Sequence, residues 1–153
     1  MIDPLNTLMY GDLVYNHRNW ICPVVGFDKD KTITVIAQHY GEATYDRSLI
    51  HPIPLTEDII LTLGWKVVSN QGDEITYKHP WYTNVLNITR VELLGMWVII
   101  GGNIAIRYLH DLQHILRHAT EDDIIYDYEN NELFIRDQVL GNINKRIKQP
   151  AFI

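Results

Sequence analysis

Cysteine is nearly missing from this chain. Cys22 is the single one in 153 residues, so an internal disulfide and a thiolate metal cluster are both excluded. Cys22 sits in Trp20-Ile21-Cys22-Pro23-Val24-Val25, an apolar run that suits a buried small hydrophobe. Serine is almost as scarce. Ser48 and Ser69 are the only two, and neither stands in the Gly-x-Ser-x-Gly turn of a hydrolase nucleophile. No Gly-rich phosphate loop is present, and Gly101-Gly102 reads as a turn. No apolar run approaches the ~20 residues of a membrane helix. The start, Met1-Ile2-Asp3-Pro4, lacks the basic-then-apolar order of a signal peptide. A cytoplasmic, reducing location away from membranes is therefore expected, and the sequon Asn87-Ile88-Thr89 carries no glycan there. Positive charge is also short. Lys and Arg number 13 against 19 Asp and Glu, a net charge of −6, which disfavours a general nucleic-acid binder.

What is present is an ordinary soluble composition, 46% hydrophobic and 21% charged. A chain this long removes about two-thirds of its unfolded surface from water, enough for one real core. Residues 8–54 read as five short strands split by polar turns: Leu13-Val14-Tyr15, Trp20 to Phe27, Thr32 to Ala37, Thr44-Tyr45 and Leu49-Ile50. Five short strands in so few residues predict a small SH3-like β-barrel, because closing the sheet removes exposed edges. Pro52-Ile53-Pro54 then marks a boundary. Thr56 offers an N-cap, Glu57 and Asp58 suit the first turn, and Gly64 suits the C-terminal stop, which predicts a short helix.

An antiparallel meander follows. Asn70-Gln71-Gly72-Asp73 is a hairpin turn between Trp65–Val68 and Glu74–Lys78. Further strands are expected at Val85–Thr89, Val91–Leu94 and Trp97–Ile100. A helix over 105–119 packs across them. Residues 124–135 form a second hairpin, and 137–148 suit a last helix weakened by Gly141. The expected fold class is α+β: an SH3-like β-barrel over 1–54, helix, antiparallel sheet and helix over 55–124, and a C-terminal extension over 125–153.

Three phrases in the chain are recurrent ones: Tyr10-Gly11-Asp12-Leu13-Val14, Ile53-Pro54-Leu55-Thr56-Glu57-Asp58-Ile59-Ile60-Leu61-Thr62-Leu63-Gly64-Trp65, and Ile106-Arg107-Tyr108-Leu109-His110-Asp111-Leu112-Gln113. With them the chain resembles a group of small uncharacterised proteins of Bacteroidetes and their phages and prophages. Its members typically carry an I-P-L-T-E-E-x-L-x-K-x-G-F phrase and a Y-V-H-x-L-Q-N-L helix. The resemblance spans roughly residues 8–124. This chain has Thr120-Glu121-Asp122-Asp123-Ile124 where the group usually ends in Thr-Gly-Glu-Glu-Leu. The resemblance implies a phage or mobile-element setting and supplies no activity.

The helix carries the first candidate site. At about 100° per residue, Leu109, Leu112 and Leu116 share one arc, while His110, His114 and His118 fall opposite, near Arg107 and Asp111. Histidines at i and i+4 can hold zinc, but no third ligand is evident and no Glu follows the first His, so no metal and no cofactor is expected. The stripe is expected to be a polar, solvent-side strip, with Arg107 at its edge, fit for an anionic ligand or a partner. Trp81 and Tyr82, two adjacent aromatics after Pro80, form a second candidate. They are read as a loop capping the core, or as an interface, since exposed aromatics are enriched in interfaces. The acidic run Thr120–Asp137, with seven acids against Arg136, reads as a solvated face, or as a mimic of nucleic-acid charge toward a basic host protein.

No catalytic residue is assigned. The leading expectation is a non-enzymatic interaction protein that binds or inhibits a host protein, modulating host defence. The alternatives are a protein that sequesters a small anionic ligand such as a nucleotide signal, and, less favoured, a nucleic-acid-binding module. A homo-oligomer is compatible with exposed aromatics at Trp81 and Tyr82.

Overall fold

The computed structural model describes residues 3–28, 31–37, 41–82, 86–100 and 104–136. The expected last helix over 137–148 lies outside these residues. Twelve strands and two α-helices are seen among them, in chain order. The N-terminal part holds β1 (Leu13–Tyr15), β2 (Ile21–Asp28), β3 (Thr32–Ala37), β4 (Gly41–Asp46) and β5 (His51–Pro52). Helix α1 (Glu57–Thr62) follows. The meander is β6 (Lys66–Asn70), β7 (Glu74–Lys78), β8 (Ile88–Val91), β9 (Met96–Ile99) and β10 (Ile104–Ile106). Helix α2 (Leu109–Thr120) and the hairpin β11 (Asp123–Asp127) and β12 (Glu132–Arg136) complete the described chain.

The fold is mixed α and β with antiparallel sheets. The first sheet runs β4-β3-β2-β1-β5 and the second β10-β9-β8-β7-β6. Alternation drives both. In β3, Ile33, Val35 and Ala37 are buried while Ile36 points out, the period of two that a one-sided sheet needs. Where a closed barrel was expected, the first sheet is open, with β4 and β5 as its edges. A shift in register between Val24 and Gly26 bends β2 against β3. A side chain at Gly26 would lie 3.3 Å from Thr34 Cβ, so a larger residue would crowd the bend.

Two apolar clusters form. The smaller lies on the first sheet, around Val14, Cys22, Val24, Ile33, Val35 and Ile50. The larger runs from Leu13 and Ile53 through Trp65, Tyr77, Ile88 and Trp97 to Leu109, Leu112, Leu116 and Ile135. Its indoles are satisfied: Trp65 Nε1 donates to Leu86 O at 2.9 Å, and Trp97 Nε1 to Leu55 O at 3.1 Å. Buried Trp needs such a partner.

Helix α1 begins where its cap predicts. Thr56 Oγ1 accepts from Ile59 N at 3.3 Å, with Glu57 and Asp58 in the first turn. Helix α2 starts later than the periodicity suggests. Ala105 and Ile106 belong to β10, paired with Val98 and Trp97. The helix then opens behind Tyr108, with Asp111 Oδ2 accepting from Arg107 N and Tyr108 N at 3.0 Å each. The expected strand Val91–Leu94 is only partly one: Glu92–Leu94 make a single 3₁₀ turn closed by Gly95.

Candidate functional site

The middle of the α2 polar stripe does not face solvent; only its two ends, Arg107 and His118, do. The helix lies between the large core and the first sheet, and both sides are used. Leu109, Leu112 and Leu116 enter the core; His110 and Gln113 are fully buried beside them. Gln113 is a clasp between the start of β1 and β11, with Asp123 Oδ1 at 3.3 Å from its Nε2 among its partners. Its Oε1 accepts from Leu13 N at 2.8 Å, and its Nε2 donates to Ile124 O at 3.0 Å and Gly11 O at 3.2 Å. Asp12, fully buried, sits next to it. Its Oδ2 lies 2.5 Å from His114 Nε2 and accepts from Met9 N at 2.8 Å, while its Oδ1 accepts from Arg117 at 2.7 Å. Arg117 reaches on to Asp123 Oδ2 at 3.0 Å. One helix face is thus tied to Asp12, just before β1, and to Asp123 of β11 by charge-assisted bonds, which are stronger than neutral ones.

The three phrases on which the resemblance rests meet at this seam. Gly11, Asp12 and Leu13 meet Gln113, His114 and Arg117 of α2, as above. Leu55 N donates to Arg107 O at 2.9 Å, Leu109 N donates to Ile53 O at 2.8 Å, and Pro54 bridges Tyr108. The phrases therefore hold positions that lock the helix between two sheets.

The expectation of a solvent-side strip is corrected accordingly. His110 is 0% exposed, and its Nε2 lies 3.0 Å from Thr7 Oγ1. His114 is held by Asp12. Only Arg107 and His118 are exposed, and they stand at opposite ends of the helix. The structure does not bring the four together as one surface. Tyr82 is likewise buried, and its hydroxyl donates to Asp122 Oδ2. Trp81 is half-buried against the large core and packs on His79. Pro80, Trp81 and Tyr82 fold back over the core, and His79 Nδ1 accepts from Trp81 N at 3.1 Å. Among the described residues, no group of three His, Cys, Asp or Glu side chains is arranged to hold a metal ion. None of the helices described is long and apolar enough to cross a membrane.

Burial also sets the protonation of the seam. Desolvation lowers the His110 pKa below its ordinary 6.5, against the opposing pull of Asp111 and Asp12. Burial raises Asp123 above its ordinary 3.8, although Arg117 opposes it. A folded His held neutral loses its advantage when the unfolded chain takes up a proton. Stability from His110 is therefore full above the unfolded value of 6.5 and is lost as pH falls below it toward the folded value. Urea unfolding should show a lower midpoint at pH 5.5 than at pH 7.5, and His110→Gln should flatten that slope. An unchanged slope in the variant would remove His110 from this role.

A different concavity lies at the end of the first sheet. A cavity of ≈ 280 Å³ is lined by His17, Arg18, Trp20, Ala37, Ala43 and Tyr45. The turn after β1 shapes it. Asn16, itself buried, accepts from Arg18 N and Trp20 N on Oδ1 at 2.9 Å each, and Asn19 takes a positive φ of 60°. This fixes Trp20 beneath the Arg18 guanidinium, 5.2 Å from ring centre. His17 packs on Tyr45 at 5.1 Å between ring centres. Ala37 and Ala43 leave room between these two contacting pairs. Pockets of this kind, apolar with a few polar groups at the mouth, are the usual binding sites of small domains. Sequence reasoning missed it. The signal was His17-Arg18-Asn19-Trp20 in one turn, but Tyr45 joins it only through the pairing of Ile33 with Tyr45 between β3 and β4.

No family model matches this chain, and no curated protein or solved structure matches it.

Proposed function

We propose that this chain is a non-enzymatic interaction protein that engages a partner protein at the aromatic pocket of the first sheet. The carrying observation is the pocket itself: two half-buried rings, Trp20 and Tyr45, held open by Ala37 and Ala43. Rigid aromatics at a concave site are the residues that anchor partners. The group of titratable side chains Asp12, His114, Arg117 and Asp123 is joined to itself in ion pairs, which supports a clamp rather than a reaction centre. The resemblance to phage and prophage proteins supplies the setting, a host protein as partner. Read as SH3-like, the first sheet would present the pocket at its curling end, an analogy of fold alone.

Low-salt capture from a Bacteroidetes lysate tests this. The wild-type chain is expected to retain a specific protein that Trp20→Ala loses, with the melting temperature of Trp20→Ala within a few degrees of wild type. Equal capture by both would sink the pocket's role. Arg18 and His17 at the same mouth favour a second reading, a small anionic ligand such as a nucleotide. A ligand at a hundred times its dissociation constant adds about 2.7 kcal/mol; no thermal shift with any nucleotide disposes of it.

A further inference from the structure

The two five-stranded sheets end in four edges, and three of them are protected. Strand β5 has two residues and contains Pro52; β10 has three residues. Strand β6 carries Lys66 and a break in register between Val67 and Ser69. Short strands, proline, lysine and bulges are the ordinary means of blunting an edge. Strand β4 has none of them. It is six residues long, Gly41-Glu42-Ala43-Thr44-Tyr45-Asp46, and its register with β3 runs unbroken from Thr32–Asp46 to Ala37–Gly41.

The direction of its backbone groups follows from one bond. Arg47 N donates to Lys31 O at 3.0 Å, one step beyond the Asp46–Thr32 pair. In an antiparallel ladder, bonded and non-bonded pairs alternate. Arg47, Tyr45 and Ala43 therefore turn their amides toward β3, and Glu42, Thr44 and Asp46 turn theirs outward. Thr34 Oγ1 and Thr44 Oγ1 lie 2.8 Å apart, as befits the closer spacing of a non-bonded pair. Among the described strands, none takes the outward groups.

The two faces of β4 differ in chemistry. Ala43 and Tyr45 line the aromatic pocket. Glu42, Thr44 and Asp46 are exposed on the other face. A strand added to this edge would place alternate side chains at the pocket and the rest beside two carboxylates.

We propose that β4 accepts an extended segment of a basic partner protein as an added strand. Alternate basic residues would lie against Glu42 and Asp46, and alternate apolar residues would reach the pocket beside Tyr45. This rests on the interaction-protein reading and names the partner's chemistry. Main-chain bonds supply affinity in such additions, and the pocket supplies specificity. The net charge of −6 favours approach of a basic partner. A second copy of the chain fits less well. Antiparallel pairing about Thr44 would set Glu42 of each copy against Asp46 of the other, and like charges directly opposite are destabilising.

Calorimetry with the full chain and three eight-residue peptides tests the proposal. The peptides alternate Lys with Val, alternate Glu with Val, or repeat the Lys–Val sequence with alternate backbone nitrogens methylated. The Lys–Val peptide is expected to bind, and the other two to bind at least about tenfold more weakly. Thr44→Pro removes an outward N–H and the hydroxyl contact to Thr34 but leaves the backbone bonds to β3, a substitution that edge strands tolerate; it should weaken Lys–Val binding about tenfold. Glu42→Lys should weaken it several-fold and improve Glu–Val binding. The methylated peptide keeps the test decisive if Thr44→Pro fails to fold. Equal binding of all three peptides, or of none, overturns the proposal. So does light scattering that shows a dimer made monomeric by Thr44→Pro. A lysate partner lost by Trp20→Ala but kept by Thr44→Pro would overturn the added strand alone and leave the pocket reading standing.

Discussion

Asp12→Ala is expected to lose about 3–5 kcal/mol of folding stability, the range for removing one partner of a buried ion pair. The carboxylate is fully buried and holds three donors at once: Met9 N, His114 and Arg117. Truncation leaves the Arg117 guanidinium partly buried with Asp123 as its remaining counter-ion. It also frees the amide of Met9 at the entry to β1. Asp12→Asn keeps acceptor capacity and loses charge, so it should fall between wild type and Ala. Urea midpoints with an unchanged slope check this, because a constant slope means the exposed area on unfolding is unaltered. A loss under about 1 kcal/mol would mean that the helix docks by its leucines alone.

Gly64→Ala is expected to be the next most damaging change, at about 3 kcal/mol. Two independent causes add. Gly64 has φ +109°, a region that L residues rarely adopt, and such strain costs on the order of 1–3 kcal/mol. A Cβ there would also lie 2.6 Å from His79 Nε2. The imidazole cannot easily yield. Its Nε2 is 2.9 Å from Leu63 O, its Nδ1 accepts from Trp81 N, and Trp65, Trp81 and Tyr82 surround it. Crowding a packed core costs about 1–3 kcal/mol. Thermal melting should show the loss, and the near-ultraviolet signal of Trp65 and Trp81 should change with it. Gly64→Ala melting like the wild type would show that the loop carrying His79 gives way freely.

The local signals in the sequence were faithful where the chain folds on its neighbours. Thr56 as a cap and Asn70–Asp73 as a turn are read from adjacent residues, and α1, β6 and β7 follow them. The strand-rich start was legible from alternation in β2 and β3, but closure was not. Closure depends on how β4 and β5 are aimed, and they end as separate edges. The helical wheel of α2 correctly separated leucines from histidines. It then assumed that the polar side was wet. Asp12 lies about a hundred residues from His114 and Arg117 in sequence, so nothing local reveals that a buried carboxylate waits for that side. The missed pocket has the same cause, since Trp20 and Tyr45 meet only once β2, β3 and β4 pair.

The central claim is that the polar face of α2 is a clamp between sheets and not an open binding strip. A double-mutant cycle on Asp12→Ala and Arg117→Ala measures it most directly. Contacting residues in one network couple by about 0.5–3 kcal/mol; the clamp predicts a coupling near the top of that range. Losses that simply add, within about 0.5 kcal/mol, would contradict it.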